Sequence, residues 1–204
     1  MHFETEHIYH IFNQGNNRQK VFFTKENYLF FLRKINFHIK SFADILAWCL
    51  MPNHFHLMVF VRQTTLPLSA ESLPTSLSKS IGTMLSSYTR AVNRLYNQSG
   101  SLFRQKTKAL CLTRIDRVTK AWYVSNGITV VNTCLPESQY PNLCFNYILF
   151  NPVNAGLVKA NEEWEFCSFP DITGKRNGKL ISREKIEKLG LKIKTYSSDE
   201  LEVV

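Results

Sequence analysis

The sequence predicts an α+β fold, a ferredoxin-like sandwich in which an antiparallel sheet carries two helices on one face. Three observations predict it. From Thr75 to Tyr96 the apolar residues Leu77, Ile81, Met84, Leu85, Tyr88, Val92 and Leu95 recur at the helical spacing, marking a long amphipathic helix. Two strand-like runs, Ile45 to Met51 and His54 to Val61, flank Pro52-Asn53, the composition of a hairpin corner. The order of all readable elements is strand, helix, strand, strand, helix, strand.

The first strand, His7 to Asn13, is rich in aromatic and β-branched side chains and closes at the turn Gly15-Asn16-Asn17. Thr24, followed three residues later by Asn27, reads as a helix start. That helix runs to about Phe42, with Tyr28, Phe31, Leu32, Ile35 and Ile39 on its apolar face. Gln63 to Pro74, with two prolines, reads as a loop. Asn97 to Gly100 stops the long helix, and Ser101 to Leu112 reads as a strand that sends Arg104, Lys106 and Lys108 to one face. Thr113 to Pro141 has no clean period. Asn142 to Val158 is apolar and helical around the Asn151-Pro152 break, and the Lys- and Glu-rich tail beyond Gly174 is expected to form a short helix near Ser182 to Leu189 that adds little to the core. The second sheet face is left free for a ligand.

A formal charge of +9 and a pI near 9.4 favour a polyanionic partner, nucleic acid before acidic membrane. No apolar stretch approaches the ~18 residues of a membrane span, and Met1 to Glu6 lacks a basic-then-apolar leader, so a cytoplasmic protein with no membrane role is expected. Five scattered cysteines, never in a Cys-x-x-Cys pair, read as reduced and mostly buried thiols.

Chemistry concentrates in Asn53-His54-Phe55-His56-Leu57. A strand sends alternate side chains to opposite faces, so the imidazoles of His54 and His56 share a face and form half of a metal site, while Phe55, Leu57, Val59 and Val61 anchor the other face in the core. Lys79, Arg90 and Arg94 share a face of the long helix, and with Arg104, Lys106 and Lys108 they form two basic stripes suited to phosphates. In Asn146 to Val158, Tyr147 and Asn151 lie four apart, stacking a phenol beside a carboxamide if the helix reaches Asn151. Pro152 disfavours helical geometry there, and Asn151 is alternatively the cap of a turn begun by Pro152.

The runs Tyr9 to Arg18, Trp48 to Leu57, Gly100 to Phe103, Tyr147-Ile148, Asn151 to Val153, Ala155 to Val158 and Trp164 to Phe169 together resemble the REP-associated tyrosine transposases, single-tyrosine members of the HUH nuclease class. Met-Pro-Asn-His-x-His and Asn-Pro-Val-x-Ala-Gly-Leu-Val are the most specific blocks. The resemblance implies a transposase and nuclease domain at residues 1–174, with an insertion near 114–138 and a charged tail at 175–204, acting on single-stranded DNA with REP-like hairpins as a single copy or a homodimer. It implies His54 and His56 as metal ligands, Asn151 as the polar group completing the set, and Tyr147 as the nucleophile. Arg18 falls within its first block and joins the basic residues expected to contact DNA. Two departures are visible: Thr107 stands where the family often has an aromatic residue, and about 25 residues between Arg114 and Ser138 have no counterpart in its pattern.

The expected cofactor is Mg2+ or Mn2+. Imidazole pairs by themselves suit zinc or manganese better than magnesium, and the family resemblance points to magnesium or manganese. An ion there would polarise a phosphodiester oxygen for attack by Tyr147, giving a 5′-phosphotyrosine that is later rejoined. A catalytically inactive regulator that binds hairpin DNA is the alternative, and a hydrolase of small phosphate esters is a further rival.

Overall fold

The computed structural model describes residues 1–66, 74–114, 121–125, 128–132 and 140–194, with 121–125 and 128–132 described as backbone. Most of the expected insertion, part of the loop before the long helix, Cys134 and the last ten residues lie outside the described residues. In chain order the elements are β1 (Ile8–Gln14), α1 (Lys25–Ile39), β2 (Ala43–Met51), β3 (His54–Val61), β4 (Thr65–Leu66), β5 (Thr75–Ser76), α2 (Leu77–Leu95), β6 (Lys108–Cys111), β7 (Ala121–Ser125), β8 (Ile128–Asn132), α3 (Tyr140–Asn154), α4 (Phe169–Ile172) and α5 (Arg183–Lys188).

Four strands form an antiparallel sheet in the order β2-β3-β1-β6, so the first and third strands of the predicted order lie together at its centre. α1 and α2 cover one face. Phe31 packs against Phe55 with ring centroids 5.1 Å apart, and Tyr88 meets both Phe31 and Phe103. At the start of α1 the Asn27 carboxamide oxygen accepts from the backbone N–H groups of Phe23 and Thr24, at 3.1 and 3.2 Å, the reciprocal half of a capping arrangement. Ser76 caps α2 by accepting from Lys79 N at 3.2 Å.

The structure departs from the sequence expectations at several places, among them the short strand β4 inside the expected loop Gln63 to Pro74 and the end of α1 at Ile39 rather than about Phe42. The second sheet face is not free, because α3 packs across β2 and β3 there. α3 also runs through Pro152. The proline lacks the N–H that would bond to Ile148, yet the helix ends two residues later in a closed terminus, with Leu157 N donating to Pro152 O at 3.0 Å and Gly156 at φ +68°. Leu95 is exposed, because the last turn of α2 outruns the seam that buries Val92.

The twelve-residue strand expected at Ser101 to Leu112 is paired as a strand only from Lys108. Upstream, Asn13 Nδ2 donates to Arg104 O and to Thr107 Oγ1, at 3.0 and 2.8 Å. Between Arg104 and Thr107 a side chain thus stands in for the ladder, beyond a single backbone bridge of Phe103 to Gly15, and Arg104, Gln105 and Lys106 are all exposed rather than alternating. Thr107, the departure from the family pattern, is the hydroxyl that accepts this bond.

The tail contributes more than expected. Ile181, Ile186 and Leu191 are buried, Ser182 N donates to Ile45 O at 2.8 Å beside β2, and Asn142 and Asn146 of α3 bond to the backbone of Lys192 and Lys194. The stretch without a clean period contains the hairpin β7–β8. Cys49, Cys144 and Cys167 are buried free thiols and Cys111 is half-buried and free. Among the described residues no helix is long and apolar enough to cross a membrane.

Candidate functional site

β3 begins at His54, directly after the Pro52-Asn53 corner. The corner is fastened from both sides: Asn53 O accepts from Gly15 N at 2.8 Å, and Pro52 O accepts from Val21 N at 2.8 Å. Alternation then sends Phe55 and Leu57 into the helix-covered core and turns His54 and His56 to the α3 side. Their ring centroids are 5.0 Å apart. α3 lowers Tyr147 onto the same spot, its ring edge-on to His56 at 5.3 Å. One turn further on, Asn151 brings its Oδ1 to 3.3 Å from His54 Nε2.

Burial shapes the protonation of these groups. It pushes the His56 imidazole well below its ordinary value, helped by the neighbouring His10 and His54, and pushes His54 down although the Asn151 oxygen, which would accept from the protonated ring, works the other way. His54 is therefore neutral near pH 7. Its Nδ1–H donates to Asn53 Oδ1 at 2.5 Å, which leaves the Nε2 lone pair facing the Asn151 oxygen. Two acceptors 3.3 Å apart repel unless a positive centre joins them, and that spacing is close to the separation of two ligands on one ion with bonds of about 2.1 Å.

His56 Nε2 is a second indication, since it is buried with no hydrogen-bond partner. Two imidazole nitrogens and a carboxamide oxygen fit a divalent first-row ion with water completing its shell. Among the described residues no three His, Cys, Asp or Glu side chains gather as a ligand set, so Asn151 is needed for a third protein donor.

Tyr147 is half-exposed, at 44%. Partial burial raises its phenol above the ordinary value, and a hydrogen bond from the Asn151 side chain works the other way. Alone, the phenol is a weak nucleophile. Cations are at hand: Arg104 and Lys108 line the same cavity of about 250 Å³, together with Phe12, Gln14, His54, His56 and Tyr147.

The other expected DNA contacts are dispersed. Lys79, Arg90 and Arg94 are exposed on α2, in the helical layer on the far side of the sheet from the imidazoles. Lys106 is exposed on the irregular stretch before β6 and does not line the cavity. Arg18 is exposed beside the histidine corner, where its backbone oxygen accepts from Asn53 Nδ2 at 3.3 Å.

The residue that sequence reasoning missed is His10. It sits on β1 two residues before Phe12, the partner of His56, is 7% exposed, and brings its Nε2 to 2.8 Å from His56 Nδ1. The alternation of β1 was a usable signal, because His10, Phe12 and Gln14 share the face that His54 and His56 occupy on β3.

Burial lowers His10 to about 4, against an ordinary value near 6.5. The unfolded chain therefore takes up protons below pH 6.5 that the folded site refuses until about pH 4. Stability is full above pH 6.5 and falls as the pH drops towards 4, by about 3 kcal/mol for His10 alone or roughly 10 °C in melting temperature. Melting curves at pH 7.5 and 4.5 measure it, and equal midpoints would contradict a buried neutral histidine here.

No family model matches this chain, and no curated protein matches it. Among solved structures the chain is similar to a REP-associated tyrosine transposase bound to a REP hairpin, with a TM-score of 0.54 and 16% sequence identity over 86% of this chain and 84% of that one. At that identity the likeness is one of fold: the two chains share an α+β architecture built on an antiparallel sheet with helices.

Proposed function

We propose that this chain is a divalent-metal-dependent DNA transposase and endonuclease that cuts and rejoins single-stranded DNA beside hairpins through a 5′-phosphotyrosine. One observation carries the reading: a phenol from α3 meets paired imidazoles from β3, Tyr147 at 5.3 Å from His56, with Asn151 bridging towards His54. The basic charge of the chain and a structural neighbour that holds a REP hairpin support DNA as the partner.

In this reading His54, His56 and Asn151 hold Mg2+ or Mn2+, which supplies positive charge to a non-bridging phosphate oxygen as negative charge grows in the transition state. Arg104 and Lys108 draw the phosphodiester into the cavity and favour the phenolate of Tyr147 over its phenol. The Tyr147 oxygen attacks phosphorus, the bond to the 3′-oxygen breaks, and that oxygen leaves as a 3′-hydroxyl after taking up a proton. The new ester keeps the free energy of the broken linkage, so rejoining by a 3′-hydroxyl needs no nucleotide. Lys79, Arg90 and Arg94, remote from the cut, are left to steer and hold the backbone of the DNA.

A hairpin-bearing single-stranded oligonucleotide labelled at its 3′ end tests the proposal. With Mn2+ the wild-type protein is expected to give a labelled band that survives denaturing electrophoresis, lost in chelator and in the His54→Ala, His56→Ala double variant. A protein that shifts the hairpin in a native gel yet yields no such band with either ion is instead the inactive hairpin-binding regulator.

A further inference from the structure

We infer that His10 is a positioning residue that fixes the tautomer of His56, holding its proton on Nδ1 so that the Nε2 lone pair is free for a cation. The inference rests on the metal reading of the site and adds to it a group outside the expected ligand set.

The two nitrogens, His10 Nε2 and His56 Nδ1, are 2.8 Å apart, so one donates and the other accepts. Both rings are more than nine-tenths buried and one proton lies between the two nitrogens, which leaves two arrangements. If His10 donates, the His56 proton sits on Nε2, and that N–H is buried with no acceptor. If His56 donates, its Nε2 is a bare lone pair, buried without a donor, and a cation satisfies it without a second proton on the ring. The second arrangement agrees with the neighbouring His54, whose Nδ1 donates to Asn53 and whose Nε2 is likewise left as a lone pair. Both histidines of the pair then direct the same nitrogen to the ion, each held by a partner on Nδ1.

The fold makes His10 rigid enough for this. Its ring stacks on Phe12 at 4.7 Å and lies nearly parallel to His56 at 5.0 Å, and β1 is a central strand paired on both sides. Tyr147 closes the cluster edge-on at 6.3 Å.

Nitrogen-15 spectra of the ring nitrogens in the metal-free protein test the tautomer directly. His56 is expected to carry its proton on Nδ1 in the wild type and to lose that preference in His10→Leu. Titration with Mn2+ alone, followed by calorimetry, is expected to show affinity 10- to 100-fold weaker in His10→Leu, with most of the loss recovered in His10→Gln, whose carboxamide oxygen can accept the same bond. A wild-type His56 protonated on Nε2, or equal Mn2+ affinity in wild type and both variants, would overturn the inference, as would a wild type that binds no Mn2+. Should His10→Leu fail to fold, the wild-type spectrum and the His10→Gln titration still decide. Neither readout involves DNA, so a protein with the expected tautomer and Mn2+ affinity that never forms an adduct refutes the nuclease while leaving this role of His10 in place.

Discussion

Tyr147→Phe is expected to abolish the covalent protein–DNA adduct, lowering its formation at least ~10³-fold, while hairpin affinity stays within about threefold of wild type. The change removes one oxygen and nothing else. The ring is half-exposed and keeps its edge-on packing against His56, so the site retains its shape. The lost hydrogen bond with Asn151 is worth about 1 kcal/mol, too little to unfold the chain. Binding would persist because the basic residues around the cavity and on α2 are untouched. The measurement is a denaturing gel beside a native gel with the same labelled hairpin. An adduct of undiminished yield in the variant would move the nucleophile elsewhere and end the reading built on α3.

Asp171→Ala is expected to destabilise the protein by about 3 kcal/mol in urea denaturation, a loss larger than that of any substitution on the exposed face of α2. The Asp171 carboxylate is 1% exposed and accepts from Arg176 Nε and Nη2, at 2.5 and 2.9 Å, and from Gly178 N at 3.2 Å. Arg176 in turn donates to Glu165 O and Cys167 O and lies over the Trp48 ring at 5.4 Å. One carboxylate therefore clasps the segment after α3 to β2. Truncating it leaves a guanidinium with part of its shell missing, and the partial exposure of Arg176 limits the cost to the lower end of the range for buried pairs. Asp171→Asn keeps the shape without the charge and is expected to lose less. A midpoint unchanged in Asp171→Ala would mean that the clasp is incidental to folding. The segment reaches the site through Cys167, whose backbone pairs antiparallel with that of Cys49, the β2 partner of His56, so a loosened clasp is also expected to broaden the cavity around Tyr147.

The parts of this molecule that were legible in the sequence are those governed by local period. Alternation alone assigned His54 and His56 to one face, and helical spacing alone found α2 with its buried residues. The Asn27 cap was visible three residues from Thr24. What local pattern does not encode is register between distant strands. His10 reaches His56 because β1 aligns Phe12 with His56, a pairing between residues 44 positions apart in the sequence. The same limit explains the basic residues: Arg104 and Lys108 line the cavity while Lys79, Arg90 and Arg94 lie beyond the sheet, a division that depends on which face each element covers. The approach of Tyr147 to the imidazoles was implied by family resemblance rather than by spacing. Pro152 misled because its cost depends on distance from the helix end, which is set by the closing turn at Gly156.

Gly15, at the exit of β1, has a consequence for how this protein tolerates change. A Cβ at that position would collide with the backbone oxygen of Gln19 and with Val21, and neither can swing aside as a flexible side-chain tip would. Gly15 is also the donor that ties β1 to the Asn53 carbonyl, one residue before His54. Even a single methyl group grafted there would be transmitted through that tie as a shift of the histidine corner. The residue is remote from any chemistry of its own, yet it behaves as the hinge pin against which the imidazole pair is aligned.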